Sequence, residues 1–272
     1  MLAKATELPA DELVLDLEDA VIPSQKPDAR ARIVALLARP AFADRTVAVR
    51  VNAIGTPWCR DDIAAVAATR HPPLTLIIPK VERAGDLVLV DRMLDDAEAT
   101  SGAASNVGVQ ALIETARGLA DVQAIAAASA RLRGLILGYA DLASSLRRKP
   151  DSGRSWMFAQ ELMLLAARAN GLQAIDGPFM EIGDNDRLRA ECESVRDLGF
   201  DGKWAIHPSQ IEILNDAFTP GREEVEDARA LIAHLNESRE AGAGASVFRG
   251  RMVDEAMRAG ALDTLARAGD GT

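Results

Sequence analysis

The sequence predicts an α/β fold, most simply a TIM (β/α)8 barrel, and three observations carry that expectation. Short β-rich runs alternate with longer Ala-, Leu- and Arg-rich stretches. The runs recur about every 30 residues, the length of one βα unit, which implies a parallel sheet with right-handed crossovers. Nearly every run also ends on a polar or charged residue, and strand C-termini are where a barrel carries its active site.

In chain order the expected strands are Leu13–Leu17, Thr46–Val51, Leu74–Ile78, Val107–Ile113, Leu132–Leu137, Leu172–Ile175 and Lys203–Ile206. Expected helices include Asp28–Ala38, Asp61–Thr69, Leu119–Ala130, Ser155–Ala169, Asp184–Leu198 and Glu223–Glu237. Several open on an acidic residue or Ser, which suits a helix start. A closed barrel needs eight strands. The chain opens on a helical segment, Met1 to Glu7, so the expectation is a barrel whose first strand is missing. Residues 1–240 form the barrel in this reading. Ala241-Gly242-Ala243-Gly244-Ala245 reads as a flexible hinge, and residues 241–272 as that hinge plus a lid helix from about Glu255 to Ala268.

The 272 residues carry a formal net charge of −10, and the pI is about 4.9. That argues against nucleic acid or an anionic membrane as the main partner. Arg147, Arg148 and Lys149 read as a solvated helix end. Cys59 and Cys192 fit neither a zinc site nor a disulfide framework and read as free thiols. No apolar stretch approaches the ~20 residues of a membrane span, and the start lacks a signal-peptide core. A soluble, cytoplasmic protein is expected. Dinucleotide, P-loop and nucleophile-elbow motifs are absent.

The densest signal is Leu13-Val14-Leu15-Asp16-Leu17-Glu18-Asp19. Alternation sets Leu13, Leu15 and Leu17 on one strand face and Val14, Asp16 and Glu18 on the other. A buried strand ending in that much negative charge needs a use for it. Further strand ends supply Arg50 with Asn52, Lys80, Glu114, Asp141, Asp176 and His207. Glu114 and Asp141 end consecutive strands. Two hard oxygen ligands there suit Mg²⁺, and helix-start capping is the alternative. Arg50 suits a keto or carboxylate oxygen, or an ion pair with Glu18 or Asp19. Lys80 reads as electrostatic support, His207 as a hydrogen-bonded structural residue, and Asp176 as a turn residue that caps or orients neighbours.

Together these segments resemble the citrate lyase beta-subunit-like and malyl-CoA lyase family of CoA-ester lyases, within the HpcH/HpaI aldolase superfamily. The matching stretches are Leu15 to Val21 with Lys26 and Arg30, Val49 to Asn52, Ile78-Pro79-Lys80, Ala111 to Ala116, Gly138 to Leu142, Ala174 to Asp176 and Ala205 to Gln210. Gly250 to Asp254 is similar to the family's C-terminal lid. The resemblance implies Mg²⁺ on Glu114 and Asp141, a substrate oxygen held by Arg50 and Glu114, and Glu18 and Asp19 in support. It also implies a homotrimer or dimer of trimers, with Asp254 reaching over a neighbouring active site as acid or base. The expected reaction is cleavage or formation of a carbon–carbon bond in a short 3-hydroxy dicarboxylic acyl-CoA, of malyl-CoA, citramalyl-CoA or citryl-CoA type, with an α-keto acid as partner. Rival readings are a thioesterase on the same esters, a CoA-independent pyruvate aldolase and a non-catalytic subunit of a citrate lyase complex.

Overall fold

A computed structural model describes residues 2–69, 71, 73–102, 107–149 and 156–269. The chain forms two compact units, Met1–Leu214 and Asn215–Thr272. In the first, seven strands run parallel in chain order: β1 (Glu12–Asp16), β2 (Thr46–Arg50), β3 (Leu74–Ile78), β4 (Gly108–Ile113), β5 (Leu132–Leu137), β6 (Gln173–Asp176) and β7 (Gly202–Lys203). Between and after them lie α1 (Lys26–Leu37), α2 (Cys59–Ala67), α3 (Ala84–Ser101), α4 (Ala116–Ala120), α5 (Val122–Ala126), α6 (Tyr139–Ser145), α7 (Met157–Ala169), α8 (Asn185–Leu198) and α9 (Pro208–Phe218).

The sheet is curled. Ala48, Ile77, Leu112 and Ile136, from four successive strands, form one buried cluster, against which Ile175 and Trp204 pack. Gln110 on β4 donates to Glu12 on β1 at 3.0 Å, a bond that spans the concave face. Leu13, Leu15 and Leu17 are buried, while Val14 on the alternate face is 39% exposed. That is the predicted alternation. The closed eight-stranded ring is not formed among the described residues. The architecture is a seven-stranded half-barrel whose edges are β1 and β7.

Several helices depart from expectation. The expected Leu119–Ala130 helix is two short ones, interrupted at Asp121 (φ −104°, ψ 11°). The long α3 occupies the interval that the alternation implies but is not among the helices named from the sequence. It buries Leu87, Val90, Leu94 and Ala97, but Val88 and Leu89 lie on its exposed side and blur the apolar periodicity.

The second unit contains α10 (Arg222–Glu240), an antiparallel hairpin of β8 (Ala245–Phe248) and β9 (Arg251–Asp254), and α11 (Arg258–Arg267). The stretch read as a hinge is thus a turn with Gly242 at positive φ that leads straight into β8. His234 on α10 meets Ser246 Oγ at 2.8 Å and ties the hairpin to the helix. No helix among the described residues is long and apolar enough to cross a membrane.

Candidate active site

Parallel register builds the site's first half. Asp16 and Arg50 are Cα partners in the β1–β2 ladder, so their side chains meet on the concave face at the strand ends. Arg50 Nε and Nη2 donate to the two oxygens of Asp16 at 2.8 and 2.6 Å, a bidentate fork. Arg50 Nη1 lies 3.1 Å from Glu18 Oε2. The angle there is not that of a hydrogen bond, so this buried oxygen has a charge contact and no hydrogen-bond partner. Burial alone would lower the Arg50 pKa, but Asp16, Glu18 and Asp19 outweigh it and hold the guanidinium firmly protonated. Burial likewise works against the Asp16 charge, yet Arg50 and two backbone N–H groups, of Glu18 and Ala20, pull its pKa down.

Lys80 joins this half to the next. It follows β3 in the left-handed region (φ 53°), a conformation that costs a non-glycine residue free energy. That conformation lets one residue hold two carboxylates: its backbone N–H donates to Glu114 Oε1 at 2.9 Å, and its Nζ donates to Glu18 Oε1 at 2.6 Å. Glu114 follows β4 and is buried. Its pKa is pushed up to about 7, first by burial, with Asp141 and Glu18 adding repulsion that Lys80 only partly offsets. Gly138, after β5, leaves room for it. A Cβ there would come within 2.6 Å of Glu114 Cβ and 2.7 Å of its Oε2.

Neither Glu114 nor Asp141 occupies the N-cap position of a helix. Thr115 caps α4, its side chain accepting from Gly118 N, and Gly138 occupies the N-cap position of α6. Asp141 lies in the first turn of α6, and its charge acts on both Glu114 and Lys80. Among the described residues, Arg50 and Lys80 are the cations acting on Asp16, Glu18 and Glu114, Asp141 adds negative charge beside Glu114, and Glu18 Oε2 has no hydrogen-bond partner. A hard divalent cation fits that arrangement, with Glu114 and Asp141 as its oxygen donors. Among the described residues no group of three or more His, Cys, Asp or Glu is arranged to hold a metal, so the remaining ligands would be water and substrate.

Two supporting residues add to this site: Lys26, named from the sequence but given no role there, and Asp62, which the sequence did not single out. Lys26, a buried amine, donates to the carbonyls of Leu17 and Glu18 at 2.9 and 2.8 Å and fixes the turn after β1. Asp62, fully buried on α2, accepts from Arg30 Nε at 2.7 Å and from Asn52 Nδ2 at 2.6 Å, which anchors the chain after β2. Asp16 itself was seen only as part of an acidic run. Its in-register partnership with Arg50 was the available signal.

The other expected residues lie as follows. Asp19 is exposed and acts on Arg50 at longer range. Asp176 is the last residue of β6 rather than part of a turn, and it does orient neighbours. It is completely buried, with Lys203 Nζ 2.5 Å from its Oδ2 and Tyr139 donating to its Oδ1. His207 is exposed, and its Nδ1 accepts from Ser209 N at the start of α9, the structural role expected. Asp254 belongs to the second unit, where its carboxylate accepts from Ala256 N and caps the turn before α11. Arg147 and Lys149 are exposed beyond α6, and Arg148 stacks on the Trp156 ring at 4.2 Å. Cys59 and Cys192 are buried, free, and pushed by burial up to about 11.

Comparisons with known proteins bear on this site. The (3S)-malyl-CoA thioesterase of Cereibacter sphaeroides (strain ATCC 17025) is 40% identical over 269 residues, covering 98% of this chain and 90% of that protein. The L-malyl-CoA/beta-methylmalyl-CoA lyase of Rhodobacter capsulatus is 35% identical over 270 residues, covering 92% and 85%. Among solved structures, CitE from Mycobacterium tuberculosis in complex with magnesium, acetoacetate and coenzyme A is 31% identical with a TM-score of 0.73, covering 96% of this chain and 90% of that one. A citrate lyase from Burkholderia xenovorans LB400 shares the fold with a TM-score of 0.86 at 23% identity, over 98% and 87%. Residues 1–208 match the HpcH/HpaI aldolase/citrate lyase description, and this chain belongs to that family.

Proposed function

We propose that this protein is a Mg²⁺-dependent carbon–carbon lyase acting on a short 3-hydroxy dicarboxylic acyl-CoA, with acetyl-CoA and an α-keto acid as the other side of the equilibrium. The observation that carries the reading is the buried Glu114 carboxylate, held beside Asp141 and Glu18 with too little positive charge around it. The relatives named malyl-CoA lyase and the magnesium and coenzyme A complex of CitE support it.

For a malyl-CoA substrate the 3-hydroxyl loses its proton, and that oxygen's electron pair becomes the carbonyl of glyoxylate. The C2–C3 bond breaks, its electrons collect on the thioester as an enolate, and protonation at carbon yields acetyl-CoA. Bound Mg²⁺ supplies Lewis-acid polarisation of the keto or alkoxide oxygen. Glu114 and Asp141 hold the cation, and Glu114 borders the bound acid. Arg50, pinned by Asp16 and Glu18, presents a fixed positive charge to developing oxyanion character. Glu18 and Asp19 orient Arg50 and Lys80. Asp254 exchanges the proton at the acetyl carbon. It does so from a lid (residues 241–272) closing on the site of a neighbouring subunit in a homotrimer or dimer of trimers.

A thioesterase is the second reading, favoured by the 40% identical relative of that name. The purified protein with malyl-CoA and Mg²⁺ separates them. Glyoxylate and acetyl-CoA, lost on adding EDTA, are expected of the lyase. Malate and free CoA without glyoxylate would replace it with the thioesterase. Neither product, from malyl-, citramalyl- and citryl-CoA alike, would overturn both.

A further inference from the structure

We propose that Tyr139 is a positioning residue for Asp141, held in place by the buried Asp176–Lys203 pair. The inference rests on the metal reading above and deepens it.

Helix α6 is only seven residues long, and its N-cap, Gly138, has no side chain with which to cap it. Two ties run from α6 toward the Glu114 side. Gly138 N–H donates to Ile113 O at 3.0 Å, and Ser145 Oγ accepts from Ala116 N at 2.9 Å. Tyr139 ties the helix the other way, to β6. Its hydroxyl accepts from Gln160 Nε2 at 2.7 Å, so its single proton is directed to Asp176 Oδ1. Asp176 is itself immobilised: its other oxygen accepts from Lys203 Nζ at 2.5 Å, and the same amine donates to Glu191 Oε1 at 2.6 Å. Neither Asp176 nor Lys203 has any exposed side chain. The Tyr139 ring lies 5.3 Å from that of Trp156. On another side it abuts Gly177, where an added Cβ would fall 2.7 Å from Tyr139 Cδ2.

Helix geometry converts that anchor into aim. Residues two apart on an α-helix project about 200° apart around its axis. Tyr139 points into the network between sheet and helices, so Asp141 points the opposite way, toward Glu114. Rolling the first turn of α6 about its axis therefore swings Asp141 relative to Glu114. A network that fixes the Tyr139 hydroxyl fixes that roll, as outer partners of metal ligands do elsewhere.

The test is Mg²⁺ binding measured by calorimetry on wild type, Tyr139→Phe and Gln160→Met. The Tyr139→Phe change keeps the ring and removes the tether, and it should weaken Mg²⁺ about tenfold. Saturating Mg²⁺ should restore kcat to near the wild-type value. The Gln160→Met change removes a bond to the same hydroxyl but leaves that hydroxyl on Asp176. Its Mg²⁺ constant should stay within about twofold of wild type, which general loosening of the fold would not predict. Wild-type binding with an unchanged constant in Tyr139→Phe overturns this inference alone, as does equal weakening in both variants. Should Tyr139→Phe not fold, Asp176→Asn takes its place with the same expected tenfold loss, and an unchanged constant there overturns the inference equally. Absence of Mg²⁺ binding in wild type would overturn the metal reading and this inference with it.

Discussion

Two charge networks lie at the strand ends of the half-barrel, on opposite faces of one sheet, and they are built differently. On the concave face, Asp16, Glu18 and Glu114 share Arg50 and Lys80, with an orphaned carboxylate oxygen and a carboxyl pushed up to about 7. On the helix side, Tyr139, Asp176, Lys203 and Glu191 close on one another. Burial alone would strip the proton from Lys203, but Asp176 and Glu191 outweigh it and raise its pKa. The Tyr139 hydroxyl is kept protonated by burial and by the Asp176 charge. A network that leaves a buried carboxylate oxygen without a hydrogen-bond partner is suited to receive something, and one in which both oxygens of buried Asp176 are hydrogen-bonded is suited to hold the frame still. Buried ionisable groups alone do not mark an active site, because both networks have them. An unpartnered carboxylate oxygen beside a carboxyl of raised pKa does.

Breaking each network should therefore give opposite signatures. Glu114→Gln removes a donor to the cation, and loss of Lewis-acid stabilisation worth several kcal/mol should cut kcat/KM by about a thousandfold or more. The same substitution removes a carboxylate held against its preference. At neutral pH without Mg²⁺ the melting temperature should hold or rise. Lys203→Met should do the reverse, because it leaves Asp176 buried without its partner. Such losses cost about 3–5 kcal/mol, read as a large drop in urea midpoint. A Glu114 variant that unfolds, or a Lys203 variant of wild-type stability, would erase the distinction.

The sequence made the frame legible wherever a local pattern was enough. Alternation in Leu13–Leu17 and the apolar runs located all seven strands to within a few residues. Reading the ends of the apolar runs singled out Arg50, the last residue of β2, Glu114 just after β4, and Asp141, which falls in the first turn of α6. What escaped depended on partners distant in the chain. Asp16 belongs with Arg50 through strand register. Lys26 was named but its role was not, because it acts through backbone carbonyls that any sequence possesses. Asp176-Gly177-Pro178 has the composition of a turn, and only the arrival of Lys203 and Tyr139 makes Asp176 a buried anchor. Helix α6, seven residues opening on Tyr139, is too short to show a period.

Acid and base should also discriminate the networks. The Glu114 carboxyl titrates near 7 in the folded protein against about 4.5 ordinarily. Below 4.5 it is neutral in both states and its folded environment suits it. As pH rises through about 7 the folded protein must give up a proton it favours keeping, so stability falls, by roughly 3 kcal/mol in total. Urea titrations of metal-free protein between pH 5 and 8 should show that fall, and Glu114→Gln should abolish it. Added Mg²⁺ should reverse it, since binding the charged form stabilises the folded state by mass action. A flat profile for the metal-free wild type would mean that the Glu114 carboxylate is as well satisfied as Asp176 in the other network.

The smallest effect is expected at His207, the residue whose chemistry most invites a catalytic role. It lies in the segment after β7, as Glu114 and Asp141 follow β4 and β5. Its Nδ1 is committed to Ser209, 2.8 Å from that hydroxyl and accepting from the Ser209 N–H at 3.2 Å. Gln210 Oε1 takes the backbone N–H groups of Ile206 and His207, while its Nε2 donates to Phe179 O. The ring thus serves the start of α9 and stands apart from both networks. Replacing it by Ala should cost about 1 kcal/mol of stability, as loss of a helix cap does. Activity with malyl-CoA should stay within about threefold of wild type, a change of well under 1 kcal/mol in the barrier. A loss comparable to that of Glu114→Gln would move the proton chemistry from Asp254 to His207. The reacting groups would then extend beyond the carboxylates of the first five strands.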